Sequence, residues 1–290
     1  MHRTERTVET PYADIRLTET DGTGIPIVLL HGSGADRRVF EPQLASWLAE
    51  RHHIIAIDLP GHGESSDARD PATGYTLPGF AHCVSRVLES LAVGRCVVFG
   101  WSLGGHIAVE LMHEYPKLVA GVMLSGAPPI ANGPIGMLRG FHASWDMLLA
   151  SKEKFTPRDI ERYARLCYGE HVTPDLLDAV RRTDGRARAV FSRSLMRGDG
   201  ADQRRTVETA SVPVALVDGE RDPLVRLNYT ATVSSPYLWE GGAHLVKDAG
   251  HAAFRDSPER FNTLLQRFAS DMERWKAPAK AASVTAAIRA

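Results

Sequence analysis

The chain is expected to fold as an α/β protein: a mostly parallel central sheet with helices on both faces and a helical cap inserted into the run of strands. Three observations predict this. Short apolar runs alternate with stretches of helical periodicity, the pattern of strands joined by crossover helices. Between residues 129 and 208 the alternation stops, helical patterns follow one another, and strand pattern then returns. Finally, Val97, Val98 and Phe99 lead through Gly100-Trp101-Ser102-Leu103-Gly104 directly into a helical stripe of Ile107, Ala108, Leu111 and Met112.

Taken in order, residues 27–30 read as a strand running into His31-Gly32-Ser33-Gly34, and Phe40, Leu44 and Leu48 give a helical stripe. Residues 53–57 form the next strand, ended by Asp58-Leu59-Pro60-Gly61-His62-Gly63. A helix over 77–91 precedes the strand at 96–99, and another strand at 118–124 closes on Ser125-Gly126-Ala127-Pro128-Pro129. One cap helix begins at Thr156-Pro157-Arg158-Asp159, with a capping threonine, proline in the first turn and an acid behind it. Its apolar face is Ile160, Tyr163, Ala164 and Cys167. A second starts at Thr173-Pro174-Asp175 and is expected to end near Gly185. Strands return at 212–217 and around 244–246, and a final helix spans 258–275. This divides the chain into a core of residues 1–128 and 209–275, a cap of 129–208 lying over the strand ends, and a tail of 276–290 expected to be disordered.

Composition narrows the function. Hydrophobic content of 43% and charged content of 24% are ordinary for a soluble globular protein, and a net charge of −1 argues against nucleic-acid binding. Arginines in 152–205 are interleaved with acids, as on a solvated helical face. The start of the chain carries no secretory pattern, and no stretch is long enough to span a membrane. Cys83, Cys96 and Cys167 are scattered without a CxxC pair, which fits reduced thiols in a cytoplasmic protein.

The chemistry centres on Ser102. Gly-x-Ser-x-Gly between a strand and a helix is the context in which a sharp turn aims a serine hydroxyl out of a sheet. Such a hydroxyl needs a base to take its proton and a third group to fix the base's tautomer. Asp222, in the turn after the 212–217 strand, is the expected acid, with Asp218 and Glu220 as rivals in the same turn. His251, directly after the last strand, is the expected base, selected from twelve histidines by its position after the acid. Two main-chain N–H groups, of Ser33 and Leu103, are expected to hold the oxyanion, at ~3 kcal/mol each. His31 is read as supporting the loop, and His106 as packed inside the helix interface. Trp101, Phe141 and Trp145 are candidates for the substrate pocket, with other apolar cap residues such as Met137 and Phe191.

These residues together resemble the α/β-hydrolase fold family, over about residues 10 to 275. Within that fold the chain is similar to the metal-independent N-acyl-homoserine lactonases. The likeness rests on Phe99-Gly100-Trp101-Ser102-Leu103-Gly104-Gly105-His106, Arg182-Thr183-Asp184-Gly185-Arg186-Ala187-Arg188 and Leu238-Trp239-Glu240-Gly241. Asp159-Ile160-Glu161-Arg162-Tyr163-Ala164-Arg165 and Ala249-Gly250-His251-Ala252-Ala253-Phe254-Arg255 match as well. The resemblance implies an α/β-hydrolase fold with its helical cap inserted after the sixth strand, and a serine hydrolase opening the lactone ring of a small-molecule ester or lactone substrate, with no nucleic-acid or membrane partner, no cofactor, and Tyr163 holding the lactone. Members of that group carry glutamate as the triad acid and asparagine in the oxyanion loop, where this chain has Asp222 and Ser33. Lactonases of the other kind hold two metals in a His-x-His-x-Asp-His cluster; His52, His53 and His62 lack that spacing, so no metal is expected. A general carboxylesterase, a hydrolase of carbon–carbon bonds in meta-cleavage products and a non-catalytic small-molecule receptor of the same fold remain as alternatives.

Overall fold

A computed structural model describes residues 2–276. Eight strands form one sheet: β1 (Arg3–Glu9), β2 (Asp14–Thr20), β3 (Gly24–Leu30), β4 (His52–Ile57), β5 (Cys96–Trp101), β6 (Val119–Ser125), β7 (Val214–Gly219) and β8 (Leu238–Val246). Their spatial order is β1-β2-β4-β3-β5-β6-β7-β8. The first two strands pair antiparallel and the rest run parallel. The predicted α/β class with a mostly parallel sheet is what is found.

Central strands are apolar throughout because both sheet faces are covered. In β3 the side chains of Ile27 and Leu29 join one core with Phe99, Phe254, Phe261 and Phe268. Val28 and Leu30 join the opposite core with Phe80, Val84, Ile107 and Leu111. The helices that build these layers include α1 (Leu77–Ser90) and α2 (Leu103–Glu114) on one side and the long C-terminal helix, Pro258–Arg274, on the other. Between β6 and β7 lie α3 (Pro134–Gly140), α4 (Pro157–Tyr168), α5 (Pro174–Arg182), α6 (Gly185–Arg197) and α7 (Gln203–Glu208).

Several elements differ from expectation. The antiparallel pair β1 and β2 was not anticipated, because Arg3–Glu9 buries only Val8 and its other residues are polar and mostly exposed. The stripe of Phe40, Leu44 and Leu48 is three short pieces, Arg37–Phe40, Glu41–Leu44 and Trp47–Arg51, where the Ser46 hydroxyl accepts from the Leu48 amide and starts the last one. The second expected cap helix ends at Arg182, and the Asp184 carboxylate then caps the next by accepting from the Arg186 amide. Strand β8 begins at Leu238, well before 244, through Glu240 and Gly241, both at positive φ. The expectation for the tail falls on residues 277–290, which lie outside the described ones.

Candidate active site

Ser102 sits between β5 and α2 with φ 53° and ψ −117°, a conformation that non-glycine residues adopt only where the surroundings enforce it. Two close approaches enforce it here. A Cβ on Gly100 would lie 2.2 Å from the Gly104 carbonyl oxygen, and a Cβ on Gly104 would lie 2.0 Å from that of Leu30. The strand and helix can meet this tightly only without those side chains. Ser102 is thereby left half-buried at the wall of a narrow cavity of about 80 Å³.

The cavity also receives His251 and Ser33, with Leu103, His106, Phe141, Tyr163, Phe191 and further apolar side chains. His251 Nδ1 lies 2.8 Å from Asp222 Oδ2, and both side chains are buried. Because a carboxylate only accepts, Nδ1 carries the proton and Nε2 is left as the basic nitrogen. Among the described residues Nε2 is buried without a hydrogen-bond partner, facing the cavity that Ser102 also lines. The other carboxylate oxygen of Asp222 accepts from the amides of Leu224 at 2.8 Å and Val225 at 3.1 Å. Burial alone would push this acid up, but the His251 imidazole and those two amides hold it below the ordinary carboxylate range.

The rival acids do other things. Asp218 Oδ1 accepts from the Gly126 amide at 2.8 Å, and Gly126, at φ +63°, lies flat against the His251 ring. A Cβ at Gly126 would come within 2.6 Å of His251 Cε1. Burial, with Asp222 adding to it, pushes the Asp218 carboxyl up to about 7. Glu220 is exposed and accepts from the Asp248 amide at 3.2 Å.

Behind the cavity, the loop carrying Ser33 is fixed from several directions. His31 Nδ1 donates to the Gly32 carbonyl and its Nε2 accepts from the Leu59 amide at 3.0 Å, a neutral ring in agreement with burial lowering its pKa. Asp58 accepts from the Arg37 amide at 2.6 Å and from the Arg37 guanidinium. Tyr163, which lines the cavity, donates its hydroxyl to the Ser33 carbonyl at 3.2 Å. Among the described residues, no protein acceptor takes the Ser33 or Leu103 main-chain N–H. An amide at the first residue of a helix is one of those left free by the helix geometry.

Of the expected pocket residues, Phe141 and Tyr163 line the cavity. Trp101 does not. It is fully buried against Tyr168 and Phe254, and its indole N–H donates to the His251 carbonyl at 2.9 Å, so it anchors the histidine's backbone instead of meeting a ligand. The reason is strand geometry: residues alternate faces along β5, and Trp101 follows Val97 and Phe99 into the core beneath the sheet. The Trp145 side chain lies outside the described ones. His106 is buried between helices as expected, with Nδ1 2.7 Å from Gln203 Oε1 and its ring against Phe191, and it also forms part of the cavity wall. Its place on the first turn of α2, one turn past Ser102, was the signal available. Among the described residues no group of three or more His, Cys, Asp or Glu side chains gathers as a metal site would require. No helix of the described residues is long and apolar enough to cross a membrane.

The chain is similar to known proteins over most of its length. The profile of the alpha/beta hydrolase family matches residues 27–264. A crystal structure of the N-acyl homoserine lactonase AidH complexed with N-butanoyl homoserine superposes with a TM-score of 0.92 at 39% identity, covering 95% of this chain and 100% of that one. A mutant of AidH complexed with N-hexanoyl homoserine lactone gives 0.91 and 40%, covering 94% and 100%. Pimeloyl-[acyl-carrier protein] methyl ester esterase from Xanthomonas axonopodis pv. citri is 29% identical over 87% of this chain and 97% of its own length.

Proposed function

We propose, from the premise that the chain belongs to the alpha/beta hydrolase family, that it is a serine hydrolase opening the lactone ring of N-acyl-homoserine lactones and so quenching quorum signals. The observation that carries the reading is the convergence of Ser102, the Asp222–His251 pair and Tyr163 around one mostly apolar cavity. Structural similarity to AidH over nearly the whole chain supports the choice of lactone.

In this reading His251 Nε2 takes the Ser102 proton as the hydroxyl attacks the lactone carbonyl. The oxyanion rests on the Ser33 and Leu103 amides, worth ~3 kcal/mol each. Asp222 holds the Nδ1–H tautomer and favours the imidazolium that forms. His251 then returns the proton to the ring oxygen as the C–O bond breaks. The leaving alcohol stays tethered, so the acyl-enzyme retains every atom of the substrate. Water, deprotonated by His251, releases the N-acyl homoserine. Tyr163 supports the loop that carries the Ser33 amide, and its phenol is held neutral by burial. Residues 129–208 form the cap that closes over the acyl chain. Cys83, Cys96 and Cys167 are free and buried, which fits action in the cytoplasm.

A second reading, a general carboxylesterase, is favoured by the methyl ester esterases among the relatives. Measuring hydrolysis of N-butanoyl and N-hexanoyl homoserine lactones beside p-nitrophenyl acetate and butyrate, each with and without chelator, separates the two. The proposal expects lactone turnover that chelator leaves intact. Turnover of the esters with inert lactones would establish the esterase, and binding without turnover would establish a receptor.

A further inference from the structure

We propose that His106 determines substrate specificity: its Nε2 offers the cavity a hydrogen-bond acceptor for the amide N–H that an N-acyl lactone carries two bonds from its scissile carbonyl. This rests on the lactonase reading above and extends it to a residue outside the triad, the oxyanion loop and the cap tyrosine.

The tautomer follows from the clamp around the ring. His106 Nδ1 is 2.7 Å from Gln203 Oε1, and Gln203 Nε2 donates, at 3.4 Å, to the carbonyl oxygen of His106 itself. Turning the amide over would set Gln203 Oε1 against that carbonyl oxygen, two acceptors facing each other. The orientation that remains makes Oε1 the acceptor at Nδ1, so Nδ1 carries the hydrogen and Nε2 a bare lone pair. Both side chains are buried, and burial pushes the imidazole down to about 4, so the ring is neutral at physiological pH. Among the described residues the hydrogen bonding of the His106 ring runs through Nδ1 alone, to Gln203.

Position gives the acceptor its use. The His106 amide donates to the Ser102 carbonyl at 3.3 Å, so the imidazole is carried on the first turn of α2, one turn past the serine. The ring lies between Phe141 and Phe191, with centroids 6.0 Å and 6.1 Å away, and both of these line the cavity. In such a wall a lone pair is matched by a substrate that brings a donor. One that brings only carbon leaves it desolvated and unpaired, and sites of this kind reject the analogue lacking the bond. An N-acyl homoserine lactone supplies the donor; a lactone bearing an α-alkyl chain in place of the amide does not.

The test compares kcat/KM for N-hexanoyl homoserine lactone with that for an α-alkyl-γ-butyrolactone of equal chain length. Wild type should prefer the amide-bearing lactone about tenfold or more. In the double variant His106→Phe with Gln203→Leu, which removes both polar partners together, the amide-bearing lactone should lose about tenfold more than the alkyl lactone. His106→Gln, which restores an acceptor, should recover part of the preference. No preference in wild type, or equal losses on both lactones in the variant, would overturn the assignment of His106 while leaving the lactonase standing. Inert lactones beside active p-nitrophenyl butyrate would overturn the lactonase reading and this assignment with it.

Discussion

At the scale of single residues, three acids within five positions of the 218–222 turn have distinct surroundings. Asp222 touches the imidazole, Asp218 holds the backbone that lies against it, and Glu220 faces solvent. Asp222→Asn should therefore lower kcat by about 10³–10⁴-fold, because an amide leaves His251 free to adopt the wrong tautomer. Glu220→Gln should stay within a few-fold of wild type in the same assay, and the reverse ranking would reassign the acid. Burial of Asp218 couples stability to pH. Its folded-state value near 7 lies above that of the unfolded chain, so its contribution is fully present below the ordinary carboxylate range and is lost as pH rises through about 7. Asp222 works in the opposite sense: held low, it stabilises above the ordinary carboxylate range and the contribution is lost as pH falls. Asp218→Asn should consequently gain on wild type between pH 5 and pH 9, by about 1–3 kcal/mol at the upper end. Thermal unfolding across that range checks it, and parallel curves for the two proteins would contradict it.

At the scale of elements, legibility followed burial. Strands β3 to β7 bury both faces, so each reads as an apolar run with turn residues at its end. By contrast, β1 lies at the sheet edge, where Thr4, Glu5 and Arg6 alternate with nothing apolar, and β8 passes through Glu240-Gly241-Gly242, residues with weak strand preference. The turn at Ser102 was legible because its glycines are a steric requirement, and that requirement is testable. Gly104→Ala would drive a methyl group to 2.0 Å from the Leu30 carbonyl, against backbone that cannot give way. Denaturant unfolding should show a loss of about 3 kcal/mol or more, with activity falling alongside as the serine shifts. A variant as stable as wild type would mean that the strand and helix stand farther apart than described.

Across the whole molecule, residues from β3, β5, β7 and β8 meet because a parallel sheet delivers the C-terminal ends of its strands to one edge. Chain order and strand ends were enough to pick out Ser102, Asp222 and His251 as candidates from the sequence. Side-chain direction was not. Trp101 and His106 flank the same turn, and only packing sends the indole into the core and the imidazole to the cavity. Cap aromatics posed the same difficulty, since a residue that seals the core and one that meets a ligand have the same hydrophobic character. The most direct test of the proposed chemistry is the rate of N-hexanoyl homoserine lactone ring opening by chelator-treated wild type and by Ser102→Ala. Chelator-treated wild type should keep its full rate and Ser102→Ala should fall by about 10⁴–10⁶-fold with its fold intact. Ring opening that persists in Ser102→Ala, or that disappears from wild type on chelation, would contradict a serine mechanism.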